Sequence, residues 1–502
     1  MPPLVLPDDE ENRRLVAQVH PPGWTNPTPS GVYDLLVVGA GTAGLVSAAG
    51  GAGLGARVAL VERHLLGGDC LNVGCVPSKA VIASARAAAG TRAAQALGVN
   101  APPADADFAA VMARMRRLRA DLAPTDGAPR FAGLGVDVYL GSGRFTGPRT
   151  LEVNGKELAF KRAVVATGAR AAAPPIPGIE ETGYLTNETV FSLTERPARL
   201  AVIGAGPIGC ELAQAFCRLG SRVTLVERVA RVLEREEPDA AAVIDRRLRA
   251  EGVDVVLGAS VVRAERRGAD RVLVVEAGGA TREIACDAIL VGVGRVPNLE
   301  GLGLEAAGVA HDRHGVAVDD HLRTTNPRIW AAGDVASRFQ FTHVADAHAR
   351  IVLANALFLG RRKASALHIP ACTYTTPELA RVGLSAWEAA ERGFEVDTFT
   401  VPLHDVDRAR LDGEDDGLLR VHVARGGDRI VGATLVAAHA GETISELTLA
   451  MTAGVGLGRI ANVIHPYPTV SEAIRKAGDA YNRTRLTPRV RRLFSLWLRW
   501  RP

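Results

Sequence analysis

The chain has 502 residues, of which 47% are hydrophobic and 23% are charged, and its formal net charge is +4. This length exceeds what one hydrophobic core organises, so two to four domains are expected. The weak positive charge comes with no aromatic and basic binding motif, which argues against nucleic acid as a partner. Six cysteines are too few for a secreted disulfide scaffold, and the sequence has neither a signal-peptide pattern nor an apolar run long enough to span a membrane, so we expect a cytoplasmic protein.

The two ends of the chain differ from the rest in composition. Residues 1–30 are polar and proline-rich and are predicted to form an extension, with a short helix within Asp8–His20. Residues 483–502 carry seven arginines among leucine, phenylalanine and tryptophan side chains. A basic and aromatic tail can bind anionic lipid, but more often it packs as a helix on its own protein or on a second copy, and that interpretation is favoured here.

Two nucleotide-binding units are predicted. The apolar run Tyr33–Val38 is typical of a buried parallel strand, Gly39-Ala-Gly-Thr-Ala-Gly44 and a small-residue helix follow, and a second strand ends at Glu62. The same order recurs 165 residues later, where Gly204-Ala-Gly-Pro-Ile-Gly209 lies between a strand and a helix and Glu227 ends the next strand. One such motif is weak evidence, whereas two copies, each followed by an acidic residue, indicate two dinucleotide sites.

The three glycines of each motif have different predicted roles. The first allows the turn, the second lets backbone amides approach a pyrophosphate, and the third lets helix and strand pack closely. Glu62 and Glu227 are placed to accept hydrogen bonds from a ribose hydroxyl. In this order the glycines are Gly39, Gly41 and Gly44 in the first unit and Gly204, Gly206 and Gly209 in the second.

A redox pair is predicted in the run Gly67-Gly-Asp-Cys-Leu-Asn-Val-Gly-Cys-Val-Pro-Ser-Lys79. The sulfurs of Cys70 and Cys75 can meet only if the backbone turns tightly, which Gly74 allows. A helix starting near Pro77 would direct its positive end at the sulfurs and favour the thiolate. A static disulfide or two buried thiols is the alternative interpretation.

The C-terminal third is predicted to have a different architecture. The segment Thr324–Asp334 is typical of a strand that places Gly333 and Asp334 at its end, where ligands bind in parallel sheets. Farther on, Arg420–Val423 and Ile430–Val436 are typical of antiparallel strands, and helices follow them. This order indicates an α+β domain.

With these motifs the chain resembles the class I pyridine nucleotide–disulfide oxidoreductases, the flavoprotein family of glutathione reductase, dihydrolipoamide dehydrogenase and mercuric reductase, over roughly residues 32–482. The resemblance implies an α/β fold with two Rossmann-like domains, one for FAD and one for NAD(P), plus an α+β C-terminal dimerisation domain. The matching motifs are Gly39–Gly44 with Glu62, Cys70 with Cys75, Ala166-Thr-Gly168, Gly204–Gly209 with Glu227, Gly294-Arg-Val-Pro-Asn298, Ala332-Gly-Asp334 and His465-Pro-Tyr-Pro-Thr-Val-Ser-Glu472. The implied FAD-binding domain covers 31–175 and 301–365, the NAD(P)-binding domain 176–300 and the dimerisation domain 366–482, between the extension (1–30) and the tail (483–502).

Cofactor sites follow from the same resemblance. FAD would bind the first unit, with Asp334 at its ribitol, and NADH or NADPH would bind the second. Glu227 would repel a 2′-phosphate, which Arg228 and Arg231 could attract, and we expect NADH over NADPH. Further implied cofactor-binding residues are Thr167, Gly168, Gly294 and Gly333.

The resemblance also implies an electron path. Lys79, paired with Glu211, would approach the flavin ring. Cys75 would be the flavin-proximal thiolate and Cys70 the exposed interchange thiol. The C-terminal domain of a homodimer would complete the site of the partner.

The chain departs from this family at the expected acid/base group. In its disulfide reductases a histidine, held by a glutamate, exchanges protons; here Tyr467 stands in that position, with Glu472 downstream. Tyrosine has a pKa of about 10 and is a poor proton shuttle at neutral pH, and mercuric reductases also carry tyrosine at this position. His465, two residues upstream, could substitute as the base, and the alternative is a histidine hydrogen-bonded within the dimer interface.

The similarity to mercuric reductases is incomplete as well. The C-terminal vicinal cysteines and the N-terminal Cys-x-x-Cys module of those enzymes have no counterpart in this sequence. No fixed metal site is predicted, and a substrate metal ion would be bound at Cys70 and Cys75. The other cysteines are predicted to be core residues: Cys210, Cys217, Cys286 and Cys372.

These observations predict a mercuric reductase-like, NAD(P)H-dependent FAD oxidoreductase. Electrons would pass through Cys70 and Cys75 to a soft metal ion or another soft oxidant. Two alternatives stay open: a dihydrolipoamide dehydrogenase-like enzyme with His465 as the base, and a flavin-loaded redox sensor or interaction module whose tail contacts a membrane or a partner.

Overall fold

The computed structural model describes residues 5–102 and 105–500. The outermost residues of the predicted extension and tail, 1–4 and 501–502, lie outside this range. The first part of the chain forms α1 (Glu10–Val19), β1 (Leu35–Val38), α2 (Thr42–Gly53), β2 (Val58–Glu62), α3 (Gly68–Asn72), α4 (Cys75–Ala93), α5 (Phe108–Asp126), α6 (Ala128–Gly133), β3 (Asp137–Leu140), β4 (Gly143–Gly147), β5 (Thr150–Val153), β6 (Lys156–Ala159), β7 (Ala163–Val165) and β8 (Ala169–Ala171).

The second predicted nucleotide-binding unit is present as a parallel sheet in the order β11-β10-β9-β15. Its inner strands are apolar on both faces because helices and a second sheet cover them. The elements of this part are α7 (Ile179–Thr182), β9 (Arg199–Ile203), α8 (Pro207–Arg218), β10 (Arg222–Val226), α9 (Pro238–Ala250), β11 (Asp254–Val256), β12 (Ala259–Arg267), β13 (Asp270–Ala277), β14 (Ala280–Cys286), β15 (Ala288–Val291) and β16 (Arg295–Pro297).

The last part of the chain confirms the predicted change to antiparallel strands. A five-stranded antiparallel sheet has the order β20-β21-β24-β23-β22. The elements are β17 (His311–Asp312), β18 (Gly315–Val316), β19 (Ile329–Ala331), α10 (Thr342–Leu357), β20 (Pro370–Thr373), β21 (Glu378–Gly383), α11 (Ala386–Glu391), β22 (Val396–Pro402), α12 (Asp407–Leu411), β23 (Leu418–Ala424), β24 (Ile430–Ala437), α13 (Ala440–Ala453), α14 (Leu457–Ile460), α15 (Glu472–Thr484) and α16 (Pro488–Trp500).

The first sheet combines strands from two distant parts of the chain. Its order is β19-β7-β1-β2-β3, and all of its pairs are parallel. Strand β19 belongs to the chain after the second unit and ends just before Gly333 and Asp334. The carboxyl ends of parallel strands are where ligands bind in such sheets, so β19 brings these two residues to the mouth of the first glycine motif.

The N-terminal extension packs on the rest of the protein. The predicted helix is confirmed as α1, which lies against α5 and buries Leu15 and Val19. The amide of Leu66 donates to the carbonyl of Val19 (3.0 Å), and the indole of Trp24 donates to the carbonyl of Val138 (3.0 Å). The extension is therefore part of the first domain's surface.

The C-terminal tail corrects one part of an expectation, that it packs on its own protein, while packing on a second copy stays a prediction. It forms helix α16, but no residue of that helix is buried, so packing on its own protein is not what the described residues show. A connector of three residues, Arg485, Leu486 and Thr487, joins this helix to α15. Among the described residues, no helix is both long enough and apolar enough to cross a lipid bilayer.

Candidate active site

Both glycine motifs and the cysteine pair open onto one cleft of about 2870 Å³. The cleft lies at the carboxyl ends of β1, β7 and β19 and of β9 and β15. Its walls come from the first domain, the second domain and strand β20 of the third. The fold thus places two nucleotide-binding motifs and two thiols in one continuous space.

The first glycine motif has the shape of a phosphate cradle. A Cβ on Gly39 would lie 2.4 Å from the carbonyl oxygen of Ala166, and one on Gly44 would lie 1.8 Å from the carbonyl oxygen of Gly39, so neither position tolerates a side chain. A Cβ on Gly41 would have its nearest neighbour at 3.8 Å. Gly41 lines the cleft at the start of α2. The open amides at this helix N-terminus fit the pyrophosphate of a dinucleotide.

The second motif repeats this arrangement. A Cβ on Gly209 would lie 1.9 Å from the carbonyl oxygen of Gly204. A Cβ on Gly206 would meet no atom within 4 Å, and Gly206 precedes α8 as its N-cap. The geometry of both motifs agrees with the separate roles predicted for their three glycines.

The two acidic residues hold equivalent positions. Glu62 accepts hydrogen bonds from the amides of Ala40 (2.7 Å) and His64 (2.7 Å). Glu227 accepts from the amides of Ala205 (2.6 Å) and Val229 (3.1 Å). Each carboxylate is oriented by its own glycine loop and lines the cleft. Burial raises the pKa of Glu62, which the amide hydrogen bonds oppose.

The basic residues near Glu227 are placed differently from each other. Arg228 is exposed and lines the cleft. Arg231 donates to the backbone carbonyl of Glu234 and is directed into its own loop. Of the two arginines named for a 2′-phosphate, Arg228 is the one that faces the cleft.

A half-buried arginine joins the redox loop to the end of β19. Arg295 donates to a carboxylate oxygen of Asp69, the residue before Cys70, and its Nε lies 3.6 Å from Asp334. Burial raises the pKa of Asp334 to about 6, although the Arg295 charge acts in the opposite direction. The Nε of Arg295 has no hydrogen-bond acceptor among the described residues. A cofactor with polar groups fits this edge of the cleft.

The other predicted cofactor residues lie on the same edge. The hydroxyl of Thr167 donates to the carbonyl of Asn298 (2.8 Å), and the amide of Asn298 donates to the carbonyl of Gly168 (3.0 Å). These bonds fix the motif that begins at Gly294 against the end of β7. Gly168, Gly294 and Gly333 all have positive φ angles, of 68°, 125° and 78°, which explains why glycine occupies these turns.

The two cysteines lie on consecutive helices. Cys70 is in α3, and Cys75 is the first residue of α4, two residues earlier than the helix start predicted near Pro77. Both are free thiols that face the cleft. A Cβ on Gly74 would lie 2.7 Å from the carbonyl oxygen of Asp69, so the close approach of the two helices requires glycine here.

The surroundings of Cys75 favour its thiolate. The hydrogen bond from the Cys70 thiol lowers the pKa of Cys75 to about 6, with further contributions from Thr342 and Lys79. The same hydrogen bond and burial raise the pKa of Cys70. Because a thiolate is both the nucleophile and the soft-metal ligand of cysteine chemistry, Cys75 is the reactive member of the pair in this state.

The predicted pairing of Lys79 with Glu211 is present. Lys79 Nζ lies 3.0 Å from Glu211 Oε2, and the Glu211 side chain is only 6% exposed. The other carboxylate oxygen accepts from the amide of Tyr374 (2.9 Å), whose ring lies 4.4 Å from Lys79 Nζ. Cys372, predicted to be a core residue, is instead half-buried and lines the cleft beside this group.

The remaining cysteines stay away from the cleft. Cys210 and Cys286 are buried, as predicted. Cys217 is half-buried and donates to the carbonyl of Glu251 (3.3 Å). Burial raises the pKa of all three thiols, which leaves them less reactive than Cys75.

The C-terminal residues predicted to act on protons do not line the cleft of their own chain. Tyr467 is 70% exposed and donates to Asp407 (2.9 Å). Glu472 is buried and lies near Arg475 (3.1 Å) and Lys476 (3.5 Å) instead of Tyr467. The structure therefore does not bring these residues to Cys70 within one chain.

His465 is paired with a residue that sequence reasoning missed. Its Nε2 lies 2.8 Å from Glu446 and its Nδ1 lies 3.0 Å from the carbonyl of Val463. Both partners are hydrogen-bond acceptors, so a ring that satisfies both carries a proton on each nitrogen and has no lone pair to act as a base. This geometry matches the alternative of a hydrogen-bonded structural histidine.

Residues 33–349 match the family model described as pyridine nucleotide-disulphide oxidoreductase, and residues 369–478 match that of its dimerisation domain. The chain is 34% identical over 491 residues to mercuric reductase from Staphylococcus aureus, covering 95% of this chain and 90% of that protein. It is 36% identical over 462 residues to dihydrolipoyl dehydrogenase from Thermus scotoductus, covering 90% and 98%. Among solved structures, the Cu(II) complex of the HOCl-induced flavoprotein disulfide reductase RclA from Escherichia coli superposes with a TM-score of 0.79 at 31% identity, covering 88% and 98%.

Proposed function

The chain belongs to the pyridine nucleotide–disulphide oxidoreductase family, whose members bind FAD and NAD(P)H, and on that premise we propose that it reduces a soft metal ion. Electrons from NADH or NADPH would reach the ion through Cys70 and Cys75. Bound FAD would supply a two-electron carrier between the nicotinamide hydride and the two cysteines.

The cysteine pair supports a soft ion as substrate. The Cys75 sulfur is favoured as a thiolate at neutral pH, and thiolates select soft ions such as Hg(II) and Cu(I). Cys70 lies beside it and gives up its proton when a second sulfur binds the ion. The two sulfurs then hold the substrate in the cleft, facing the predicted FAD site.

Proton balance separates this reaction from disulfide reduction. Reduction of the bare Hg(II) ion by NADH gives Hg(0), NAD⁺ and one released proton. When the ion arrives as a thiolate complex, its ligands leave by exchange with Cys70 and Cys75 before the reduction and take their protons from solvent, so no group has to protonate the product Hg(0). Reduction of a disulfide by NADH consumes one proton and gives two thiols, and one leaving thiolate has to be protonated at the site. A site without an acid/base group is therefore suited to the metal ion and poorly suited to the disulfide.

The single observation that carries the proposal is Tyr467, which stands where the disulfide reductases of this family have histidine. Its hydroxyl donates to Asp407, and this hydrogen bond raises its pKa further above neutral. In the homodimer that we also propose, Tyr467 would face the cleft of the partner. The relatives named mercuric reductase and the Cu(II) complex of RclA support the same class of substrate.

The test compares metal ions with disulfides on one set of FAD-loaded proteins. Oxidation of NADH and NADPH is measured with Hg(II) in excess thiol or with Cu(II) without added thiol, and separately with lipoamide and glutathione disulfide. Wild type is expected to turn over with a metal ion and not with the disulfides, and Cys75→Ala is expected to lose the metal-dependent rate. In every variant the flavin spectrum and its bleaching by NADH show whether the cofactor is loaded and reducible.

A swap at Tyr467 makes the assay more specific. Tyr467→His should raise the rate with lipoamide by roughly a hundredfold, because general acid catalysis contributes at least that much. Tyr467→Phe removes the hydroxyl without adding a base and should leave lipoamide unreactive. Rapid lipoamide turnover by wild type, or metal-dependent turnover that persists in Cys75→Ala, contradicts the proposal.

A dihydrolipoamide dehydrogenase-like activity is the second candidate. It is favoured by the match to dihydrolipoyl dehydrogenase, which covers 98% of that protein. It requires a base, and His465 could serve as one only after a hydrogen bond to Glu446 or to the carbonyl of Val463 opens, since both ring nitrogens face acceptors. Turnover of dihydrolipoamide with NAD⁺ that disappears in His465→Gln would replace the first proposal with this one.

A further inference from the structure

Helix α16 (Pro488–Trp500) separates its side chains into two faces. At 3.6 residues per turn, its apolar side chains occupy an arc of about 200°, with Arg489 near one edge of that arc, and its other arginines occupy the rest. The apolar face consists of Val490, Leu493, Phe494, Leu496, Trp497, Leu498 and Trp500. The opposite face consists of Arg491, Arg492, Ser495 and Arg499.

The apolar face of α16 is exposed along its length. No residue of the helix is buried, and Trp497, Leu498 and Trp500 are 61%, 70% and 86% exposed. A contiguous apolar surface with a polar rim marks an interaction site in a folded protein. The face is therefore accessible to a surface outside this chain.

The positive charge of the tail indicates that the surface it binds is negatively charged. Residues 483–502 carry seven arginines, and no acidic residue follows Asp479. The arginine face would attract an anionic surface, and the long arginine side chains allow their charges to stay at that surface while the helix lies deeper. Tryptophan, present twice in the last turn, prefers the boundary between water and lipid.

We propose that α16 binds flat on a lipid bilayer that contains anionic phospholipids. Its leucine, phenylalanine and tryptophan side chains would enter the boundary between headgroups and acyl chains, and its arginines would contact the phosphates. A seam with a second helix needs a narrower apolar stripe than the arc of α16, which favours a bilayer over a second copy. The helix itself is too short and too charged to cross the membrane.

This binding surface is separate from the redox site. No residue of α16 lines the cleft among the described residues, and the helix follows α15, whose Tyr481 is buried in the third domain and accepts a hydrogen bond from Arg485 (2.9 Å). The body of the protein thus anchors the helix without involving the cysteines. Membrane binding and flavin reduction are expected to be separable.

The test is flotation of the FAD-loaded full chain with vesicles of phosphatidylcholine alone or mixed with phosphatidylglycerol. Wild type should float with the mixed vesicles, remain unbound with phosphatidylcholine, and dissociate as the salt concentration rises. Its tryptophan emission should shift to shorter wavelength on binding. Each arginine of the helix replaced by glutamine should weaken binding roughly fivefold.

Matched variants identify the face that binds. Phe494→Glu with Trp497→Glu should abolish flotation, whereas Leu54→Glu, at an exposed leucine far along the chain in the first domain, should leave it unchanged. Flavin content and reduction by NADH should be the same in all of them. Equal binding to neutral and anionic vesicles, or no binding to either, overturns the proposal. A change of molecular mass in solution caused by Phe494→Glu with Trp497→Glu, without vesicle binding by wild type, would assign the face to a second copy instead.

Discussion

The Sγ of Cys75 lies 3.3 Å from the hydroxyl of Thr342. Cys75 is the first residue of α4 and Thr342 is the first residue of α10, so the N-termini of two long helices meet at one sulfur. The positive ends of both helix dipoles stabilise a negative charge there. The hydrogen bond from Cys70 is the largest cause of the lowered pKa of Cys75, and the contact with Thr342 lowers this pKa further.

Replacing Thr342 with valine should raise the pKa of Cys75. The pKa of about 6 means that the thiolate is present above pH 6 and is lost as the pH falls through this value. Without the hydroxyl, the midpoint should move up toward the ordinary thiol value of about 8.5. The alkylation rate of Cys75 in the reduced protein, followed by peptide mass against pH, measures the midpoint. Thr452→Val, at an exposed threonine of α13, is the control, and an unchanged midpoint in Thr342→Val would contradict the prediction.

Gly74→Ala should separate the two cysteines. The added methyl group would lie 2.7 Å from the carbonyl oxygen of Asp69 and 3.4 Å from the Cα of Cys70, so α3 has to move. Disulfide formation in the reduced protein should slow by about tenfold or more, because its rate depends on the positions of the two sulfurs. Gly90→Ala is the matched control, since Gly90 lies in the same helix α4 and a methyl group there meets nothing within 4 Å. Equal rates of oxidation in the two variants would show that Gly74 does not set this geometry.

The Lys79–Glu211 pair should show strong coupling in unfolding experiments. Lys79→Met leaves the Glu211 carboxylate buried without its cation, so we expect a loss of about 2 kcal/mol in the free energy of unfolding. The double variant with Glu211→Gln should recover part of this loss, and urea denaturation of the four proteins gives the coupling. Lys161→Met, which breaks an exposed pair with Asp34, should cost about 0.5 kcal/mol or less. If the losses in the free energy of unfolding of the two single variants simply add in the double variant, burial of the Glu211 carboxylate does not couple the pair.

Glu237 should stabilise the protein in a pH-dependent way. Burial would raise its pKa, but hydrogen bonds from His422 and Arg420 outweigh this and lower the pKa of Glu237 to about 2. Because the unfolded value is about 4.3, this stabilisation is complete above pH 4.3 and is lost as the pH falls toward 2. Glu237→Gln should therefore unfold at lower urea than wild type at neutral pH, with the difference shrinking below pH 4. Glu395→Gln, in an exposed pair with Arg425, is the control, and a pH-independent difference would contradict the linkage.

The glycine motifs, the strands around them and the cysteine spacing were predictable because each depends on a short stretch of chain. Gly44 and Gly209 closely approach the carbonyl groups of Gly39 and Gly204, five residues earlier in the chain, and a run such as Leu35–Val38 is apolar because both faces of the strand are covered. The start of α4 was misplaced by two residues because Pro77 marks the first turn of a helix and not its first residue.

Contacts between distant parts of the chain were not predictable. Arg295 reaches Asp69, 226 residues away in sequence, and Thr342 reaches Cys75, 267 residues away. An arginine or threonine in a loop gives no sequence signal of such a contact. Glu446, the partner of His465, was missed for the same reason.

The sequence by itself determined the family, the two nucleotide-binding units and the identity of the two thiols, because the backbone geometry and the chemistry of these motifs depend on short runs of consecutive residues. Only the tertiary structure shows what makes Cys75 the thiolate that the resemblance implies, since its pKa depends on Cys70 in α3 and on Thr342 in α10, which meet it from separate elements. The tertiary structure also decided whether the tail is exposed. The amphipathic pattern of α16 is the same in a packed and in an exposed helix, and its exposure depends on which surfaces the rest of the fold covers.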